Sequence, residues 1–255
     1  MSCLNLLFLL GALLLAVPKL SAQSETNLTY LLRAQQAFLA ARTNCTLHPE
    51  DTNVSIRFAS ACFDLTDFAT NDTQRADLAQ QGVDVCLQVL ARDSNSAPAH
   101  YYLAMNLGEL AQAKAPSLAA YRLVHQVEHE FQTAAALDAA YDHAGPPRNL
   151  GELYFQAPGW PISIGSNRKA REWLERAVKL DPAYPENQID LLEARLHWRQ
   201  QAEAEATLHA LTNLWAQARV QLAGPAREKD WEDWTARRVQ LEAEYRRIYP
   251  PAGKE

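Results

Sequence analysis

Three aspartates, Asp93, Asp138 and Asp181, constrain this chain more than any other feature. Each closes a stretch with the same internal spacing: Gly82, Cys86 and Val89; Val127, Phe131 and Ala134; Ala170, Leu174 and Ala177. Steps of four and then three residues place each trio on one face of an α-helix. Small residues there let two backbones approach, and the bulky ones fill the space beside them. The aspartates follow one another at 45 and 43 residues, so the unit is a helix pair that recurs. One such pair cannot bury its apolar face alone, and stacking copies buries a continuous core. Composition agrees: β-branched residues are sparse, Ala, Leu, Gln, Glu and Arg abound, and the 9 glycines and 13 prolines act mostly as punctuation.

The stretch Arg171 to Asn187, REWLERAVKLDPAYPEN, reads as the second helix of one pair running into the first helix of the next. With Leu150, Gly151 and Tyr154 upstream, the residues Ala170, Leu174, Ala177 and Pro182 resemble the tetratricopeptide (TPR) pattern, with Pro147 where a tryptophan usually stands. The resemblance implies an all-α, TPR-like right-handed stack of antiparallel helix pairs. The period exceeds the roughly 34 residues of the ordinary repeat. The excess is expected as long insertions between paired helices: after Ala69, around Ala113 to Leu118, and in Ala157 to Ser166. Such insertions gather on one face of a solenoid, where partners dock.

Helical patterns run over Leu28–Arg42, Val54–Ala69, Thr73–Arg92, Ala97–Ala113, Ser117–Leu137, Pro147–Gln156, Asn167–Leu180, Pro185–Gln200 and Ala202–Leu222. A loop through Asn44, Pro49 and Asp51 follows the first, and Asp72 is the expected cap of the third. The last pattern, Trp231–Tyr249, carries Trp231, Trp234, Val239, Leu241 and Tyr245 on a face able to cap the stack. Four segments result: a signal peptide at 1–22, an N-terminal helix and loop at 23–53, TPR-like repeats at 54–222, and a capping helix with its tail at 223–255.

Leu4 to Val17 is apolar and too short for a membrane span of roughly 20 residues, as in a signal peptide, with cleavage expected after Ala22. Lys19 is the nearest basic residue, and Cys3 would leave with the leader rather than carry a lipid. The mature chain is thus expected to be exported, periplasmic or secreted, with no membrane span. In an oxidising compartment Cys45, Cys62 and Cys86 allow one disulfide, with Cys62–Cys86 the favoured pair on facing helices. Asn27, Asn44, Asn53 and Asn71 each begin an N-x-S/T triplet, a glycan site only in a eukaryotic secretory pathway.

The candidate binding residues are Arg148, Asn149, Tyr154, Trp160 and Pro161. The loop from Ala157 to Ser166 is restricted by two prolines and bent by two glycines, and it carries Trp160 as a large apolar group. Trp160 either staples the loop to its own helix pair or meets a partner. Arg148 and Asn149 either line a groove or cap the helix they begin. A rival chemistry is spelled by His125, Glu128 and His129, the H-x-x-E-H order of inverted zinc peptidases, with Glu203 or Glu205 as a conceivable third ligand. Against it, Val127, Phe131 and Ala134 take the packing positions and leave that trio a polar face. No G-x-S-x-G elbow, phosphate-cradling glycine loop, C-x-x-C or dinucleotide fingerprint occurs, so no enzyme, cofactor or metal is expected. A formal charge of -6 disfavours a nucleic-acid partner. Trp215, Trp231 and Trp234 read as core or cap, or as a dimer seam.

The runs HYYLAMNLGELA (100 to 111), DHAGPPRNLGELY (142 to 154) and APGWPISIGSNRKAREWLERAVKLDPAYPEN (157 to 187) resemble exported bacterial TPR-type proteins similar to the T component of tripartite ATP-independent periplasmic (TRAP) transporters. That resemblance implies a non-enzymatic scaffold that associates with itself and with a periplasmic solute-binding protein. The alternative within the same class is a general envelope assembly adaptor.

Overall fold

A computed structural model describes the backbone of residues 6–250 and the side chains of residues 26–250. The apolar run at Leu4 to Val17, the cut after Ala22 and Cys3 therefore fall outside the residues with described side chains. Ten α-helices follow in order: α1 (Leu6–Leu47), α2 (Thr52–Thr66), α3 (Asp72–Leu90), α4 (Ala97–Ala113), α5 (Leu118–Leu137), α6 (Tyr141–Gln156), α7 (Asn167–Leu180), α8 (Pro185–His197), α9 (Gln201–Gln221) and α10 (Glu228–Ile248). A short 3-10 turn, Pro225–Arg227, leads into α10. Among the described residues there is no strand, only an isolated bridge between Gly159 and Gly165. Among residues with described side chains, no helix is long and apolar enough to cross a membrane.

The helix starts are written in the sequence. Asp51, Asn71, Ser96, Ser117 and Ser166 each accept a hydrogen bond from a backbone N–H in the first turn that follows. Asn71 rather than Asp72 caps α3, through Oδ1 to the Gln74 N–H at 2.9 Å. The first helix outruns its expected end at Arg42 and reaches Leu47, which leaves only a short turn before Asp51. The three repeat aspartates do one job. Each uses Oδ1 to accept the N–H two residues on, Asn95 at 3.0 Å, Ala140 at 3.0 Å and Ala183 at 3.2 Å, which turns the chain out of one helix toward the next.

The pairs α2–α3, α4–α5, α6–α7 and α8–α9 stack in order, with α1 against α2. Ala170, Leu174 and Ala177 are fully buried, as are Cys86, Val89 and Ala134 in the earlier pairs. Two glycines show why the spacing matters. A Cβ on Gly151 would stand 2.6 Å from Leu174 Cγ, and one on Gly82 would collide with the Asn106 side chain. The length beyond the ordinary repeat is shared between long helices, such as the 19 residues of α3 and the 20 of α5, and the connector from 157 to 166.

The cysteines pack as small apolar residues. Cys62 and Cys86 are both wholly buried in the core shared by α2 and α3, and Cys45 is half-buried. All three are free thiols in this structure, the expected partners Cys62 and Cys86 included. Burial pushes the Cys62 thiol up to about 12 and the Cys86 thiol up as well, which keeps both protonated and unreactive.

The last helix does more than close an end. Trp231, Trp234 and Leu241 join Ile189, Leu192 and Leu211 in the core of the α8–α9 pair. The first turns of α10 also reach the opposite end of the stack. Tyr30 donates to Glu232 at 2.8 Å, Arg33 pairs with Glu228 at 2.5 Å, and Lys229 bonds Asp67 at 3.1 Å. The helix is thus a strap from the last pair to the first.

Candidate functional site

Between the strap and the inner helices lies a groove made of three confluent cavities of about 440, 590 and 510 Å³. The first helix of each pair (α2, α4, α6 and α8) supplies its floor, and α1 and α10 supply its walls. The second helices, α3, α5, α7 and α9, contribute to none of the three. Aromatic residues line the floor: Phe63, Tyr101, Tyr102, Tyr184 and, from the strap, Trp234. Among the described residues, Asp64 alone borders all three cavities.

The electrostatics of the groove are unusual. Asp64 is exposed to solvent in the groove, although many protein atoms crowd around it. Burial, then the charges of Asp67 and Asp230, push its carboxyl up to about 7, and Asp142 adds to the effect. Asp230 is also raised, first by burial, despite its contact with Arg227 at 3.2 Å. Close carboxylates of this kind cost stability, and proteins keep such arrangements chiefly at functional sites.

Asp142 reaches the groove through a backbone of high energy. Asp142, His143 and Ala144 have φ of 48°, 56° and 62°, three successive non-glycine residues in the left-handed region. Such a segment persists only when its surroundings over-determine it. His143 stacks flat on Tyr184 with ring centroids 4.3 Å apart, and its Nδ1 lies 2.8 Å from Asp181 Oδ2. The His143 carbonyl accepts from Arg148 Nη1 at 3.2 Å and from Asn187 Nδ2 at 3.1 Å. Asp142 Oδ2 then accepts the Tyr101 hydroxyl at 2.9 Å.

The residues singled out from the sequence do not form one site. Arg148 borders the groove but is 6% exposed, committed to Glu186, Asn187 and the turn, and lies over the Tyr184 ring. Asn149 donates to Tyr101 Oη at 3.2 Å and to the Gly145 carbonyl at 3.0 Å, so it braces the start of α6. Tyr154 is buried, and its hydroxyl donates to Glu128 on the far side of α6. Trp160 is 89% exposed beside an exposed Pro161, so the indole does not staple its loop down. Backbone bonds hold the loop instead, from Gly165 N–H to the Pro158 carbonyl and from Ser166 N–H to the Tyr154 carbonyl, both at 2.9 Å.

The H-x-x-E-H segment is occupied by packing. Glu128 takes the Tyr154 hydroxyl and Lys169 Nζ at 3.2 Å, while His125 lies edge-on against Tyr121. Among the described residues no group of three His, Cys, Asp or Glu side chains is placed to hold a metal ion. Glu203 and Glu205 are solvent-facing. A second acidic group, the buried Asp190 with the partly exposed Glu152 and Glu193, converges on one cation, Arg237 of the strap, at 2.8 Å from Asp190 and 2.7 Å from Glu193. Burial and Glu186 push the Asp190 carboxyl up to about 7, against the pull of Arg237. No sequence signal pointed to Asp64, Asp142 or Arg237, because only tertiary convergence makes them neighbours.

The fold and this strapped groove define the class: an all-α, TPR-like helical-repeat protein. The structure is similar to that of a thermophilic TPR protein of Thermus thermophilus, with a TM-score of 0.59 at 18% identity, covering 87% of this chain and 95% of that one. It is also similar to PilF of Pseudomonas aeruginosa, with a TM-score of 0.49 at 17% identity over 91% of this chain and 92% of that one. A further similar structure is YrrB, described as a TPR protein with an unusual peptide-binding site, with a TM-score of 0.46 at 15% identity over 83% and 93% of the two chains. At the level of sequence, the family profile of Regulator of microtubule dynamics protein 1-3 matches residues 20–144. No curated protein matches the sequence.

Proposed function

We propose that this chain is a non-enzymatic protein-interaction scaffold whose inner groove holds a segment of a partner protein between α1 and the α10 strap. The observation that carries this reading is the groove itself: an aromatic floor, a dense set of charged side chains of both signs and a strained turn, all facing one channel. The matched family profile over residues 20–144 favours a partner connected with the regulation of microtubule dynamics. The resemblance of 100–111, 142–154 and 157–187 to TRAP T components favours an exported protein that meets a periplasmic solute-binding protein, and its first run lies within the matched profile. The exposed Trp160 and Pro161 offer either partner a second contact outside the groove.

The test is site-specific photo-crosslinking in cells. A photoreactive residue at Met105, on the groove floor, should give a discrete adduct, and one at Leu87, exposed on α3, should not. A microtubule-associated protein in the adduct supports the first partner class, and a solute-binding protein supports the second. Equal adducts from both positions, or none from Met105, would refute the scaffold reading.

A further inference from the structure

The second and third helix pairs bring their connectors to one edge of the stack, because α4 and α6 run in the same direction and touch. Residues 114–122 make the turn into α5, and residues 157–171 make the turn into α7. Together these two stretches hold five cations, Lys114, Arg122, Arg168, Lys169 and Arg171, and no carboxylate. In a chain of formal charge -6 that is a local reversal of sign. Arg168 pairs with Glu172 at 3.6 Å and Lys169 with Glu128 at 3.2 Å. Arg171 lies over the Trp198 ring. Lys114 and Arg122 are exposed, and neither side chain has a hydrogen bond or ion pair among the described residues.

The same stretches expose large apolar side chains. Trp160 and Ile162 project from the α6–α7 connector, Ile162 at 71% exposure, and Leu118 and Tyr121 project from the first turn of α5. This exposure is built into the backbone. The Gly159 carbonyl accepts the Ile162 N–H at 3.0 Å and the Ser163 N–H at 3.3 Å, and Ile164 turns back against the core. A Cβ on Gly165 would stand 2.0 Å from the Ala157 carbonyl oxygen, so the connector closes this tightly only with glycine there. Trp160 and Ile162 are thus held outward before anything binds, which spares the cost of ordering them later. None of these residues borders the groove, so a contact here leaves the channel free.

We infer that this edge rests on a membrane surface that carries anionic lipid headgroups, with Trp160, Ile162 and Leu118 among the upper acyl chains and Lys114 and Arg122 at the phosphates. A protein pocket demands a fixed spacing from its guest. A bilayer interface accepts a tryptophan, aliphatic side chains and flanking cations wherever a convex edge presents them, since the indole suits the headgroup level and long basic side chains reach up to the phosphates. The contact is peripheral: two connector tips meet the interface and no helix crosses it.

A photoreactive residue in place of Ile162 in the full chain tests this, through the yield of lipid adduct on phosphatidylcholine vesicles with about 30% phosphatidylserine at about 150 mM salt. The yield should exceed that on phosphatidylcholine alone, and that from a photoreactive residue at the similarly exposed Val220 of α9, by at least about fivefold each. Lys114→Gln with Arg122→Gln should cut it at least about threefold, and so should Trp160→Ala. Arg176→Gln with Lys179→Gln, the same loss of charge near the far end of α7, should leave it unaltered. The inference is overturned by equal yields from positions 162 and 220, by none from 162, or by equal effects of the two double substitutions. A discrete protein adduct from position 162 in cells, in place of lipid, overturns it as well. Crosslinking from Met105 reports on the groove alone, so the scaffold reading and this one can fail separately.

Discussion

Leu174 shows how one side chain holds this fold together. It is fully buried, and it lies so close to the α6 backbone that only glycine fits at position 151. Leu174→Ala should lower stability by about 2–5 kcal/mol, because the cavity opens where two rigid helices meet and cannot collapse. Trp160→Ala, at a site 89% exposed, should change it by less than about 0.5 kcal/mol. Chemical denaturation of the two variants checks both values. Asp64 makes the opposite contribution. Its folded-state pKa of about 7 lies above the roughly 4 of an unfolded aspartate, so the folded chain binds the proton more tightly and stability falls as pH rises between those values. Asp64→Asn should therefore raise the melting temperature at pH 8, with a gain that shrinks toward pH 5. A loss at pH 8 would contradict the crowding of carboxylates. The packing residues were legible because their order is local and periodic. Asp64 was not, since it sits on a helix face like any polar residue until α1, α6 and α10 converge on it.

At the level of elements, α10 departs most from its sequence reading. Its tryptophans announced a cap, and they do pack on α8 and α9, but its polar residues carry it along the groove to α1 and α2. Charged residues on a helix read as a solvated face, and nothing local separates Arg237, which inserts between Asp190 and Glu193, from its neighbour Arg238. Arg237→Ala should cost about 2–3 kcal/mol at pH 8, below the loss for a fully buried pair because the guanidinium is a third exposed. The cost should be smaller at pH 6, where Asp190 can take up a proton instead of remaining an unpaired charge. Melting curves of the variant at both pH values test this, and a penalty that does not change with pH would show that Asp190 stays ionised throughout. The turn at Asp142 was equally hidden. The run from Asp142 to Pro147 signals a break, but the sequence offers no glycine at the three left-handed positions, so their conformation follows from Tyr184, Asp181 and Asn187 around them.

For the whole molecule, four stacked pairs make a stiff wall, and the strap turns its inner face into a channel. The stack itself was readable from three aspartates and the trios before them, because each repeat depends only on its neighbours. The channel was not, because it depends on contacts between the first helix and the last, some 200 residues apart. The central claim is that partners bind inside this channel. Hydrogen–deuterium exchange of the full chain with and without its crosslinked partner segment tests it most directly. Added protection should fall on α2, α4, α6, α8 and the first turns of α10, with α3, α5, α7 and α9 unchanged; protection confined to those outer helices, or to the Trp160 loop, would contradict it.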